Sequence, residues 1–323
     1  MYPSQRSDTN QLGMFSAIVL AMVLSLPVFA AQKSAASKQE SFATPEEAVE
    51  ALAHAAAAKD QAALTAIFGP DRAKLLTGDP VADNNALERF GANLAKSHKL
   101  NKVSDTKYTL LVGPDSWPSP IPIVKSGNQW RFDTAAGLNE ILNRHIGEDE
   151  LSAIMTCRAY VLAQWEYYTQ ATGTSLDGLA VYAQRFISTP GKRDGLYWET
   201  PPGATPSPLG SLVAQARAEG YPAGEARAKG VPRRSYHGYY FKILKRQGPH
   251  APGGRFSYVI NGNMIAGYAL IAYPDKWGSS GIMTFIVNQQ GRVYQKNLGP
   301  KTAEIAAAIA EYDPDPSWKL VPQ

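Results

Sequence analysis

Residues 147–169 read GEDELSAIMTCRAYVLAQWEYYT, and this stretch decides the architecture of the C-terminal half. Its large apolar residues return every three or four positions, which is the spacing of one side of an α-helix. Arg158, Gln164 and Glu166 fall elsewhere on this helix. The carboxylates at its start favour the positive end of a helix dipole, so we interpret them as a helix start rather than a metal site. The face that we expect to be buried consists of Leu151, Ile154, Met155, Val161, Leu162, Trp165 and Tyr168.

From Tyr236 onward, short β-like runs alternate with turn residues, and residues 289–291 (QQG) are predicted to form a hairpin turn. The resulting antiparallel sheet is the surface that we expect to cover the long helix. Between the two, we predict a short helix at 179–186 (LAVYAQRF), an irregular excursion at 188–211 and another short helix at 212–219. The predicted strands are residues 239–244, 256–260, 267–273, 282–287 and 293–297, and the last helix is 302–310.

The N-terminal part of the chain predicts a separate small unit. Thr44 is placed to cap a helix and Glu47 to close its capping box, and a later helix is predicted at 84–97. Helices followed by an antiparallel sheet indicate an α+β unit, whose layout is similar to a cystatin-like cone. The predicted strands of this unit are residues 108–112, 121–124 and 130–132. The fold class is therefore α+β: a unit at 42–135, then a helix-plus-sheet unit at 136–323, the two meeting near residues 134–144.

The first residues resemble a cleavable export signal. Residues 14–26 (MFSAIVLAMVLSL) carry no charge. The length of this run is typical of a signal core and is short for a bilayer span. Small residues then precede a cleavage site after Ala30, with Ala31 as the second choice and an uncleaved anchor as the alternative. We thus predict an exported chain, periplasmic or secreted, with a signal peptide at 1–30, a flexible tether at 31–41 and no membrane span in the mature form.

Composition narrows the classes of function. The formal net charge is +4, and the lysines and arginines are scattered rather than clustered, which argues against nucleic-acid binding. Cys157 is the single cysteine, so an intrachain disulfide is impossible. Its apolar surroundings favour a buried thiol over a reactive one. None of the five histidines has a second ligand at zinc-site spacing, and the sequence has no nucleotide-binding or nucleophile-elbow motif, so we predict no metal, no cofactor and no catalytic set.

Five longer segments carry a family resemblance: GPDSWPSPIPIVKSGNQWRFDT (113–134), AQRFISTPGKRDGLYW (183–198), PSPLG (206–210), YHGYYFKIL (236–244) and GIMTFIVNQQGRVYQKNLG (281–299). They resemble a bacterial family of exported proteins known as DUF2950, a domain of unknown function. The resemblance spans nearly the whole chain after the signal, and it implies an exported protein without implying an activity. The helix and the following strands are also similar to the head of a pilin or pseudopilin, without the leader through which pilins polymerise.

The loop at 189–198 (TPGKRDGLYW) is the first candidate site, because it places charged and aromatic groups outside regular structure. Tyr236 and His237, at the start of the family segment 236–244, complete the candidate binding set. In the alternative interpretation, Arg193 pairs with Asp194 or a carbonyl, Trp198 fills the core, and His237 is a hydrogen-bonded structural residue rather than a catalytic base. The set predicted to bind is Lys192, Arg193, Asp194, Trp198, Tyr236 and His237.

Two classes of function follow from these patterns. The first is a non-enzymatic envelope protein that binds a partner protein or a cell-wall polymer. The alternative is an exported hydrolase with dispersed catalytic residues, for which His237 and Asp194 are the candidates.

Overall fold

The computed structural model describes residues 39–170, 178–223 and 234–322. The predicted signal at 1–30, and the tether up to residue 38, lie outside the described residues. The described residues fall within one unit of the chain that spans Ser37–Gln323. Whether the predicted units at 42–135 and 136–323 are separate domains stays a prediction.

Runs of helices and runs of antiparallel strands follow one another along the chain, which confirms the predicted α+β class. The helices are α1 (Pro45–Ala57), α2 (Gln61–Phe68), a 3-10 turn (Pro70–Leu75), α3 (Pro80–Lys96), α4 (Thr134–Thr169), α5 (Gly210–Ala218) and α6 (Thr302–Ala308). The N-terminal strands are β1 (His98–Ser104), β2 (Lys107–Val112), β3 (Trp117–Pro118), β4 (Ile123–Ser126) and β5 (Gln129–Phe132). The later strands are β6 (Tyr239–Leu244), β7 (Arg246–Gln247), β8 (Phe256–Ser257), β9 (Val259–Ile260), β10 (Asn263–Met264), β11 (Ala269–Pro274), β12 (Met283–Asn288), β13 (Tyr294–Asn297) and β14 (Lys319–Leu320).

The N-terminal layer packs helices on a sheet ordered β1-β2-β4-β5, with β3 added beside β2. The predicted cap of α1 is confirmed, because Thr44 Oγ1 accepts from Glu47 N at 3.1 Å. Glu47 Oε2 accepts from Ala43 N at 3.0 Å, one residue before the cap, so the predicted capping box closes one residue early. Strand β1 was not predicted, because its residues are mostly polar and exposed. Its backbone pairing with β2 holds it in the sheet. The core of this layer includes Leu52, Ile67, Leu110, Ile123 and Phe132.

The C-terminal layer is a five-stranded antiparallel sheet ordered β14-β13-β12-β11-β6. Every residue of β11 is buried, since α4 packs against β11 and β12 and α6 also contacts β11. The amino group of Lys242 in β6 donates to the carbonyls of Ala306, Ala307 and Ile309, the last at 2.6 Å, and so satisfies the C-terminal end of α6.

Helix α4 is one continuous element of 36 residues, about 54 Å long. The prediction that it begins at Gly147 is wrong: it begins at Thr134, after Asp133 caps the amide of Ala136. Its first turns contact the N-terminal core through Ile141, and its later turns contribute to the C-terminal core. None of the described helices, α4 included, is long and apolar enough to cross a membrane.

Only part of the predicted face of α4 packs on the C-terminal core: Ile154 is buried and Val161 packs against that core. Leu151, Met155, Leu162 and Trp165 are exposed, with exposed fractions of 59–70%. Small residues such as Ala153 and Cys157 let the helix come close to the sheet, and the hydroxyl of Tyr160 donates to the carbonyl of Ala269 in β11. The residues that α4 buries there are Ala153, Ile154, Cys157, Tyr160, Ala163, Gln164 and Tyr167.

The helix predicted at 179–186 does not form. Gln164, fully buried in α4, accepts from the amide of Ala183 and donates to its carbonyl, both at 2.8 Å. Tyr182 forms a β-bridge with Met264. These contacts across the fold hold the segment extended, and they outweigh its local helical pattern.

Candidate functional site

A cavity of about 720 Å³ lies between the start of α3, helix α5 and the strands β6 and β11. This volume lies within the range of small-molecule sites, which are mostly apolar and aromatic. Helix α5 contributes aliphatic side chains such as Leu212 and Ala216. The charged residues among the described lining are Asp79, Arg234 and Asp275. The aromatic lining consists of Tyr160, Phe186, Tyr197, Tyr221, Tyr236, Tyr240 and Phe241.

Several of the lining tyrosines use their hydroxyl groups within the wall. Tyr221 donates to Asp79 Oδ2 at 2.8 Å, Tyr197 to Glu199 Oε2 at 2.6 Å, and Tyr160 to the carbonyl of Ala269 at 3.3 Å. Burial and then the neighbouring Asp79 raise the pKa of Tyr221, which stays a neutral donor at physiological pH. Because these hydroxyl groups are satisfied by the protein, the cavity offers a ligand mainly the apolar surfaces of the rings.

A tight turn places Tyr236 and His237 at this cavity. The amide of Tyr236 donates to the carbonyl of Tyr239 at 2.9 Å, and the reverse bond is 3.1 Å. The two central residues have positive φ, +44° at His237 and +65° at Gly238, as in the primed turns that join antiparallel strands. A Cβ at Gly238 would lie 2.4 Å from Asp149 Oδ2, so only glycine fits there.

The turn directs His237 to Glu219, just beyond the end of α5. His237 Nε2 lies 2.8 Å from Glu219 Oε2, and both side chains are about one quarter exposed. Tyr236 adds a long hydrogen bond of 3.4 Å to the same carboxylate, and burial followed by the charge of Glu219 raises the pKa of Tyr236. The rings of Tyr221 and Tyr236 lie 5.2 and 4.5 Å from the imidazole. A histidine oriented by a carboxylate is a geometry that serves either structure or proton transfer.

Behind the turn lies a second, more deeply buried pair on α4. His145 Nε2 is 3.0 Å from Asp149 Oδ2, and the Asp149 side chain is 3% exposed. The two atoms are in contact without the geometry of a well-aligned hydrogen bond. Burial lowers the pKa of His145, but contact with Asp149 outweighs it and the net pKa is raised. Because α4 begins at Thr134, the interpretation of the acidic cluster as a helix start is wrong, and Glu150 Oε1 instead accepts from the amides of Ile282 and Met283 at 2.9 and 3.0 Å.

Hydrogen bonds between residues of the loop at 189–198 hold its conformation. Asp194 accepts from the amide and the hydroxyl of Thr189 at 2.7 and 2.8 Å. Burial would raise the pKa of Asp194, but these bonds and the charge of Arg185 hold it below its usual range. Arg193 lies 5.3 Å from the ring centre of Trp198, rather than pairing with Asp194, and Trp198 packs against the C-terminal core.

The six predicted binding residues therefore fall in two places. Tyr236 lines the cavity and His237 lies beside it, whereas Lys192, Arg193, Asp194 and Trp198 are not part of the described lining. From that loop, Tyr197 is the residue that reaches the cavity. Sequence reasoning missed three further residues of the site: Asp79, Glu219 and Tyr221. A glycine just after α5 marked a chain reversal there, but nothing local indicated that Tyr221 would pair with a carboxylate far back in the sequence.

Within the described ranges, no group of three or more His, Cys, Asp or Glu side chains is placed to hold a metal ion. The pairs His145–Asp149 and His237–Glu219 each consist of two such side chains. Their arrangement supports hydrogen bonding, charge pairing and proton transfer.

Fold and cavity together define an α+β protein with an aromatic-lined cavity. The chain belongs to the family described as a protein of unknown function, DUF2950, whose profile matches residues 39–321. No curated protein and no solved structure matches the chain.

Proposed function

We propose that this protein is exported and works in the cell envelope as a non-enzymatic binding protein, which holds an apolar group of its ligand in the aromatic-lined cavity. The observation that carries the proposal is the chemistry of the wall. Aromatic side chains line the space, while the hydroxyl groups of Tyr160, Tyr197 and Tyr221 are hydrogen-bonded within the protein. A partner protein or a cell-wall polymer would then bind by inserting an uncharged apolar group.

The size and rigidity of the cavity support binding of a compact group. Tyr221 and Asn85 link α3 to the region around Glu219, through Asp79 Oδ2 at 2.8 Å and the Glu219 carbonyl at 2.9 Å. The turn around Gly238 holds Tyr236, whose ring lies 5.0 Å from that of Tyr221. Because these bonds lie within the protein itself, a ligand need not make them, and little ordering is needed when one binds.

Titration with N-phenylnaphthylamine, an uncharged apolar fluorophore, tests the binding function. We expect saturable binding of one molecule per chain. Competition with an acyl detergent, an aromatic peptide and soluble wall-polymer fragments would then separate the ligand classes. Absence of saturable binding by the fluorophore would reject the cavity as a binding site.

Export is tested independently. If residues 1–30 are a cleaved signal, the intact mass of protein recovered from the exported fraction corresponds to a chain that begins at Ala31. A species that retains residues 14–26 and pellets with membranes would contradict this part of the proposal. The packing of α4 on β11 and β12 also supports the proposed likeness to a pilin head, which stays a proposal about architecture.

A hydrolase is the second candidate, and the distance of 2.8 Å between His237 and Glu219 favours it. In that case His237 would be the general base and Glu219 would orient it. Asp194 is no longer a candidate catalytic residue, because its carboxylate accepts hydrogen bonds from Thr189. Ester or amide turnover that is lost in His237→Gln, but kept in the control His250→Gln, would establish the hydrolase and overturn the non-enzymatic proposal.

A further inference from the structure

Helix α4 carries a second apolar row that the fold itself does not use. Leu151, Met155, Leu162 and Trp165 are 63%, 66%, 70% and 59% exposed. With Arg158 in the middle, they follow one another at alternating steps of four and three residues. This is the spacing of the seam through which helices pair in coiled coils.

The row lies on the side of α4 that faces away from its own sheet. The buried residues Ile146, Ala153, Tyr160 and Tyr167 repeat every seven positions, and this repeat is out of phase with the exposed row by about half a turn. Packing of the C-terminal core therefore does not account for the exposed row.

The chain ahead of the described residues is too short to cover the row once the predicted signal is removed. Gln39 is held near the start of α4, where its amide donates to the carbonyl of Phe132 at 2.7 Å. Residues 31–38 extend at most about 27 Å. Trp165 lies about 48 Å along the helix from Asp133.

We propose that α4 pairs in antiparallel orientation with α4 of a second copy through this row. In the matching register, Leu151 faces Leu162 of the second copy, and Met155 faces Arg158 of the second copy. Arg158 donates to the carbonyl of Pro322 at 3.3 Å. This bond holds the guanidinium beside the seam and leaves the alkyl part of the side chain in it. A parallel pair would instead place each Arg158 against its equivalent.

The same register gives Trp165 a role as an anchor. Trp165 stacks on Tyr168 with ring centres 6.3 Å apart, and Tyr168 stacks on Tyr182 at 4.7 Å, so the indole is held in place. It would face Glu148 of the second copy, which can accept its N–H. Covering both rows buries on the order of 1,000 Å² in total, the lower limit for a specific interface, so the dimer should be a reversible one.

Sedimentation equilibrium of the chain from Ala31, at concentrations from about 1 to 200 µM, tests the association. We expect a monomer–dimer equilibrium whose dissociation constant rises at least about ten-fold in Leu162→Glu. The control is Leu76→Glu, since Leu76 is 47% exposed but lies outside α4, and it should leave the constant unchanged. A monomer at every concentration, or an equal effect of both substitutions, would overturn the proposal.

Cross-linking tests the orientation. Cys157 is fully buried, and burial raises the pKa of its thiol to about 12, so the native thiol does not interfere. Under mild oxidation, a mixture of Leu151→Cys and Leu162→Cys chains should form the mixed disulfide. Cross-linking of Leu151→Cys chains to one another, without the mixed product, would show a parallel pair and contradict the proposed arrangement.

Discussion

Single residues determine the shape of the cavity, and Gly238 is the clearest case. Its φ of +65° suits glycine, and the space for a Cβ is already occupied by Asp149 Oδ2 and by Ser280 Cβ at 2.6 Å. The neighbouring His237 also has a positive φ, which is strained for a residue with a side chain. Strain of this kind persists where the surrounding structure fixes the backbone. Here the strained backbone of His237 directs the imidazole toward Glu219.

We predict that Gly238→Ala lowers the free energy of unfolding by about 2–4 kcal/mol, because left-handed strain and a steric clash add together. Gly278→Ala is the matched control: its φ is +79°, but nothing lies within 4 Å of the added Cβ. The control should lose only about 1 kcal/mol, from the strain alone. Equal losses in urea unfolding would show that the contact with Asp149 is less tight than described.

The buried pair of His145 and Asp149 makes stability depend on pH. The folded pKa of His145 is raised above 6.5, its value in an unfolded chain, chiefly because contact with Asp149 outweighs the effect of burial. A raised folded pKa means that folding favours the protonated form. The contribution is therefore complete below pH 6.5 and is lost as pH rises through the folded pKa. Asp83 and Glu148 act in the same direction on His145.

Chemical unfolding measured between pH 5.5 and 8.5 should accordingly show stability falling with rising pH, and His145→Gln should flatten this part of the profile. His250 also has a raised pKa, from its hydrogen bond with Asp313, but it is exposed and screened by solvent. His250→Gln should thus leave most of the slope in place. A slope that survives in His145→Gln would contradict the assignment.

Sequence reasoning found part of the site at this scale. Tyr236 and His237 were predicted from the family segment that contains them, and Cys157 was correctly predicted to be buried. The four residues predicted at 192–198 do not line the described cavity. Asp79 and Tyr221 were missed because their contact joins distant parts of the chain, which no local pattern reports.

Among the elements, α4 and its neighbours show where local pattern succeeds and where it fails. Helical periodicity correctly predicted that α4 forms, and alternation correctly predicted β6, β11, β12 and β13. Hydrophobicity predicted the buried face of α4 only in part. Ile154 is buried as expected, but close approach to the sheet favours Ala153 and Cys157 over Leu162, which is exposed. Burial of a helix face depends on the partner surface as much as on the helix.

Gln164 explains why residues 179–186 are not helical. Its amide group holds the backbone of Ala183 and also donates to Tyr160 at 2.9 Å. We predict that Gln164→Leu costs about 2–5 kcal/mol, since the buried N–H and C=O of Ala183 lose their partner. Amide exchange at Ala183 should accelerate.

The matched control is Gln170→Leu, at the end of the same helix. Gln170 is exposed, and its side chain bonds only to Glu166 among the described contacts. We expect a change within about 0.5 kcal/mol. Similar losses in both variants would mean that the Ala183 contact does not hold the segment.

For the whole molecule, the distribution of core residues predicts how the chain can be divided. Every buried residue of the C-terminal core cluster lies at position 153 or later. A fragment that begins at Ala136 keeps that core but loses the bonds from Asp79 and Asn85. We predict cooperative thermal unfolding with protected amides in residues 147–169, together with loss of fluorophore binding. A molten or aggregating fragment would show that the two layers are one folding unit.

The central claim is that the aromatic-lined cavity is the binding site, and two alanines of α5 allow a direct test. Ala216 is 5% exposed and lines the cavity, whereas Ala214 is exposed on the same helix and does not. The decisive measurement is the dissociation constant of N-phenylnaphthylamine for Ala216→Phe and for Ala214→Phe, with melting curves to show that both are folded. We predict that filling the cavity in Ala216→Phe weakens binding at least about ten-fold, while Ala214→Phe binds like the unmodified protein. Equal dissociation constants in two folded variants would place binding elsewhere and contradict the account.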